Sequence, residues 1–210
     1  MKTKTRILWI TQTAMLLGLT VAAQYFITGM LSFNPYASQL VVGSLVNLFL
    51  ILATLTCGFF SGLSISVLAP IISFYIGRMP HILMIPFVAL GNAAIVFMFW
   101  LICGKKIFGR VFSNFLNFSN FSINWAVASI AGSLLKFGVL WLGLTKIFIN
   151  FILLNDAALK APQIAKMTAV ISFNYSFPQL ATALVGCVLV YTIYPVLKKT
   201  RPKKTLNPKN

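Results

Sequence analysis

The sequence predicts an all-α integral membrane protein of about six transmembrane helices, with the N and C termini both cytoplasmic. Three observations predict it. Of the 210 residues, 59% are hydrophobic and only 9% charged, against roughly a quarter charged in a soluble domain, so lipid must solvate most of the chain. The apolar residues form unbroken runs rather than the alternation a membrane barrel requires. Lysine and arginine gather at the ends of those runs.

A helix rises about 1.5 Å per residue, so a hydrocarbon core of about 30 Å takes roughly twenty apolar residues. Six segments qualify within a single transmembrane domain, 1–210: approximately 7–31, 39–56, 58–77, 82–103, 124–146 and 178–197, with a basic tail over 198–210. The first follows Lys2, Lys4 and Arg6 in the manner of a signal peptide. It is too long for one and lacks an A-x-A-like cleavage site, and so reads as a retained helix. The second and third are short and meet at Thr56, Cys57 and Gly58.

Orientation follows from the connections. With the N-terminus inside, the inner side holds Lys2, Lys4, Arg6, Lys105, Lys106, Arg110 and the six basic residues of the tail. The outer side holds Arg78, Lys146, Lys160 and Lys166. Twelve against four is a positive-inside bias, and an even number of spans returns the C-terminus to the cytoplasm.

Two connections exceed a turn. The inner one, 105–122, spaces Phe108, Phe112, Phe115, Phe118 and Phe121 three or four apart, which suits a helix lying on the inner leaflet. The outer one, 147–177, mixes Asp156, Lys160, Pro162 and Lys166 with apolar residues. It is a lid or a plain connection.

Charge and motif exclude several functions. Asp156 is the only acidic side chain against seventeen Lys and Arg, for a net charge of +16. Basic residues at helix ends answer anionic headgroups of the lipid bilayer, so nucleic acid is not the expected partner. Cys57, Cys103 and Cys187 have no metal-ligand spacing. Proton- or sodium-coupled carriers generally need membrane carboxylates, and intramembrane hydrolases need paired Asp or His ligands. No Walker A, HExxH or GxSxG sequence is present. The chain is therefore expected to be no enzyme and to need no cofactor. If it moves a solute, another subunit supplies the energy.

The intramembrane polar residues carry most of the functional information. Gln39, Gly43 and Asn47 fall at i, i+4 and i+8 and share a helix face. Measured from the outer end of each span, Gln24 lies about 9 Å down, Asn47 about 12 Å, and Asn92 and Lys136 about 15 Å. Gln39 and Gln179 mark the mouth. Groups from five helices thus converge between the outer surface and the midplane, which describes a pocket. A mid-membrane lysine costs about 2.5–3.5 kcal/mol on insertion scales. Without a carboxylate on the spans, Lys136 snorkels outward, is neutral, or pairs with an anion from outside the chain; Arg78 is a second cation suited to such an anion.

Helix-packing signals are also present. Ala14, Gly18 and Ala22 leave one face of the first span without bulk, ready for close approach by a helix of this chain or of a partner. Gly58 and Gly62 repeat the spacing. Pro70 in the third span, and Pro86 and Gly91 in the fourth, mark kinks beside a cavity or simple bends.

Taken together, these residues resemble the substrate-specific (S) components of energy-coupling factor transporters, the vitamin importers of bacteria. The resemblance covers nearly the whole chain: the six spans, the Ala14/Gly18/Ala22 face, the stretch Gln39-Leu40-Val41-Val42-Gly43-Ser44-Leu45-Val46-Asn47, Pro70, Gly91-Asn92, Leu135-Lys136-Phe137 and Gln179-Leu180. It implies a multi-pass protein of the bacterial cell membrane that binds a vitamin without catalysis. It further implies docking through the first span onto a transmembrane coupling subunit powered by two ATPase subunits. Gly18 departs from the family's plain Ala-xxx-Ala pattern. The general look is closest to the pantothenate-type members, and the carboxylate of pantothenate suits Lys136. Cobalamin, riboflavin and folate are the other candidates. A membrane scaffold acting only through helix packing, or a stand-alone facilitator, are the alternatives from other classes.

Overall fold

A computed structural model describes residues 3–104, 121–155 and 159–200. The phenylalanine-rich inner connection, Asp156 and the end of the basic tail lie outside the described residues. Among the described residues there is no strand. The helices are α1 (Thr3–Met30), α2 (Pro35–Thr56), α3 (Phe59–Tyr75), α4 (Ile85–Phe99), α5 (Phe121–Leu140), α6 (Ala161–Asn174) and α7 (Phe177–Thr200). A 3₁₀ turn, Ile82–Met84, leads into α4. Wider π winding extends α4 through Trp100–Gly104 and α5 through Trp141–Leu153.

Local signals set the boundaries. Helix α2 starts at Pro35 rather than near 39, because the Asn34 side chain accepts from the Ala37 N–H at 3.1 Å and a proline at the first turn forfeits no hydrogen bond. At its far end the Gly58 N–H donates back to the carbonyls of Ala53 and Thr54. Gly58 itself has φ 102° and ψ 177°, a region essentially confined to glycine. Gly58→Ala is therefore expected to lower stability by about 1–3 kcal/mol, read as a fall in the thermal unfolding midpoint of the detergent-solubilised protein.

Two differences from the sequence reading concern the connection expected on the outer side. The helix expected over 124–146 runs on to Leu153, and the outer connection contains α6. Helix α6 opens with the Lys160 N–H donating to Gln163 Oε1 at 3.0 Å and Pro162 in its first turn. It packs Ile164, Met167 and Ile171 onto Leu144, Phe148 and Leu153 of the π-wound stretch, which makes a separate apolar cluster with Met84 and Tyr175. The connection is thus a packed cap on that end of the bundle.

Among the described residues, five helical stretches are long and apolar enough to cross a membrane: Arg6–Met30, Pro35–Thr56, Ile82–Gly104, Ser122–Phe151 and Ala161–Leu197, the last made up of α6 and α7. Helix α3 has 17 residues, about 25 Å of rise, and is shorter than that class. Ile7, Met15, Phe26, Phe60, Leu90, Ile130 and Val188 are among many large apolar side chains left exposed, an outer surface suited to lipid rather than water. The chain is a membrane protein.

Helix α2 is the pillar of the bundle. It contacts α1, α3, α4 and α7, and the ring closes through α3 on α4, α4 on α5 and α5 on α7. The main core joins Leu50, Ile51 and Ala53 of α2 to Ile65, Ile95, Phe99, Ala128, Ala183 and Val190. Helix α1 is pinned to the bundle by polar contacts as well as apolar ones. Trp9 Nε1 donates to the Cys57 carbonyl at 2.9 Å, and Thr13 and Ser61 share a buried hydroxyl bond of 2.6 Å. Such bonds are favoured between helices where no water competes.

Candidate ligand-binding site

The ends of α1, α3 and α5 and the starts of α2, α4 and α7 lie together at one end of the bundle. A cavity opens among them. Gln24 comes from α1, Gln39 from α2, Pro70 and Ser73 from α3, Asn92 from α4, Lys136 from α5 and Gln179 from α7. Arg78 and Met79 enter from the α3–α4 connection, and Tyr175 from the turn between α6 and α7. The cavity leaves about 70 Å³ for the centres of water-sized spheres, where one water needs roughly 10–15 Å³. That is room for a few waters or a small ligand fragment, and a larger ligand has to widen the cavity.

Lys136 is the chemical centre. Its side chain is 3% exposed and does not run out to the surface. The ammonium donates to Asn47 Oδ1 at 2.5 Å and to Asn92 Oδ1 at 2.8 Å. Both partners are neutral amides, so they satisfy two of the three N–H donors and leave the charge uncompensated. Asp156 being the chain's only acidic side chain, the described residues contain no carboxylate side chain to pair with it. A buried lysine held only by amides is either neutral or paired with an anion from outside the described residues.

Arg78 supplies a second cation. It is half-buried, and its Nη2 donates to Gln39 Oε1 at 3.0 Å, which ties the α3–α4 connection to the start of α2. Burial pulls the guanidinium below its ordinary pKa, with a smaller opposing effect from Tyr175. An arginine so placed remains charged at any physiological pH.

Of the seven residues expected from the sequence to bind substrate, six line this cavity: Lys136, Asn92, Gln39, Gln179, Gln24 and Arg78. The seventh, Asn47, is fully buried behind the wall and positions Lys136. Ser73 and Tyr175 also line the cavity and were not expected. Ser73 reads as one more small residue of an apolar helix. Tyr175 sits in Asn-Tyr-Ser-Phe-Pro, where the turn before Pro178 signals a helix entry but nothing in the local sequence says which way the ring faces.

The small-residue face of α1 lies elsewhere. Thr13, Leu16, Thr20 and Gln24 form the buried side of that helix, whereas Ala14 and Gly18 are exposed and Ala22 is half-buried. A methyl group built on Gly18 would meet nothing within 4 Å. The stripe is therefore not used to pack α1 against the described helices.

Comparison with protein families, curated proteins and solved structures returned no match.

Proposed function

We propose that this chain is the substrate-binding S component of an energy-coupling factor importer. It captures a small anionic vitamin, with pantothenate the first candidate, from outside a bacterial cell. Six crossings are proposed, α3 being the short one, with both termini cytoplasmic by the positive-inside bias. That orientation puts the cavity on the outer side, with Tyr175, just after α6, in its wall. The observation that carries the proposal is the Lys136 ammonium, buried beside the cavity and held by two amides. Arg78 adds positive charge to the same cavity, where the amides of Gln39, Gln179 and Asn92 and the hydroxyls of Ser73 and Tyr175 offer hydrogen bonds.

A binding protein without carboxylates on its spans has no obvious means of coupling transport to an ion gradient. A transmembrane coupling subunit and two ATPase subunits would supply the energy, and the open stripe Ala14, Gly18 and Ala22 is the surface proposed to receive the coupling subunit. The test separates capture from transport. Purified chain alone should bind pantothenate without moving it into liposomes, and ATP-driven uptake should require the other subunits. Gly18→Leu should leave binding within about twofold, since Gly18 is exposed and a Cβ added there meets nothing within 4 Å among the described residues, while reducing coupled uptake about tenfold or more by blocking close helix approach. Flux through the isolated chain would contradict the proposal. So would normal uptake by Gly18→Leu, as regards the docking face.

A further inference from the structure

The cavity is chemically two-sided. At its base Lys136 is held by the oxygen of Asn92, which lines the cavity, and by that of Asn47, which lies behind the wall. That orientation leaves Asn47 Nδ2 buried with no acceptor. With the Asn92 oxygen turned to Lys136, this end of the cavity presents donors rather than acceptors, and it suits an anion.

The α1 wall has the opposite character. Gln24 is 4% exposed, and its Nε2 lies 3.5 Å from the Ala69 carbonyl. A carbonyl can only accept, so the assigned orientation, with the amide nitrogen toward Ala69, is the one chemistry favours. Its Oε1 is left buried without a partner. Among the described residues, Gln24 is the only cavity-lining one with a buried side-chain polar atom in that state. Buried polar atoms in native proteins almost always find partners, and an orphan acceptor beside a cavity has its partner in what the cavity holds. Gln39 cannot substitute freely, because its Oε1 already receives Arg78.

We infer that the site selects a small carboxylate that also carries a hydrogen-bond donor, a hydroxyl or an amide N–H, and that Gln24 is the residue that reads the donor. This rests on the anion-binding function proposed above. A carboxylate alone would leave Gln24 Oε1 unpaired, and a neutral donor alone would leave Lys136 uncompensated. Sites built to hydrogen-bond a substrate group discriminate strongly against analogues lacking it, because the buried protein group is then stranded.

The experiment uses the full chain in lipid nanodiscs and three probes measured by calorimetry. Pantothenate has the acid and the donors, panthenol keeps the donors but replaces the acid with an alcohol, and hexanoate has the acid without a donor. Wild type should prefer pantothenate to both. Gln24→Met should weaken pantothenate about tenfold and leave hexanoate within about twofold, and the retained hexanoate binding reports an intact fold. Lys136→Met should show the complementary pattern, weakening pantothenate and sparing panthenol. Equal losses for pantothenate and hexanoate in Gln24→Met, no loss for either, or a wild type indifferent between them would overturn the role of Gln24 while leaving anion binding in place. A wild type that binds neither carboxylate would overturn both.

Discussion

Lys136→Met is expected to remove ligand binding and leave a folded protein. Truncating one side of a buried charge pair typically costs about 2–5 kcal/mol, so the dissociation constant should rise by roughly thirtyfold to several thousandfold. The effect on the empty protein should be small, because two contributions oppose. Asn47 Oδ1 and Asn92 Oδ1 lose their donor, at about 1–3 kcal/mol each for a buried group. Against that, an ammonium no longer has to be stripped of water, a penalty of several kcal/mol in real proteins. Methionine keeps the length of the side chain and fills the same space. Calorimetry should report lost binding, and thermal unfolding without ligand should report a midpoint close to wild type. A large fall in that midpoint would identify Lys136 as a structural residue instead.

Gly186→Val should have the largest effect on stability. Helices α2 and α7 approach so closely that a Cβ on Gly186 would lie 2.6 Å from Asn47 Cβ, 2.9 Å from the Ser44 carbonyl oxygen and 3.2 Å from the Leu48 nitrogen. Two of these obstacles are backbone atoms of a continuous helix and cannot rotate aside. Overpacking generally costs about 1–3 kcal/mol, and here the upper end or more is expected because the whole helix must move. The displaced residue would be Asn47, which orients Lys136. The variant should therefore lose ligand affinity even in its folded fraction. Its unfolding midpoint and pantothenate affinity, measured in the same detergent, should both fall, with Gly186→Ala intermediate.

Sequence and structure agree where the physics is local and periodic. Gln39, Gly43 and Asn47 share a face because a helix returns every 3.6 residues, and Lys136 stands out because charge is scarce in apolar runs. Other features depend on what packs against what. The start of α2 was legible in principle, since Asn34-Pro35 is a capping pair, but the eye follows hydropathy and begins the helix at the apolar residues. Helix α6 was harder: Lys166 and Gln163 dilute its apolar character, and its partners Leu144, Phe148 and Leu153 lie on the extension of a helix expected to stop near 146. Tyr175 could not be assigned to the cavity without knowing how α6 folds back. The fate of Lys136 was equally undecidable from sequence, because snorkelling and burial differ only in whether Asn47 and Asn92 come within reach.

The exposed stripe on α1 shows the limit from the other direction. Small residues at intervals of four fit an intramolecular seam as well as an intermolecular one. Only the burial of Thr13, Leu16, Thr20 and Gln24 on the opposite side leaves Ala14 and Gly18 available.

The central claim is that an anion occupies the cavity against Lys136. Mass spectrometry of the small molecules released on denaturing protein purified from cells tests it most directly, with Lys136→Met prepared in parallel. The expected result is a small carboxylate released stoichiometrically from wild type and depleted from the variant. A neutral or cationic molecule from wild type, or the same carboxylate in equal amount from both proteins, would contradict it.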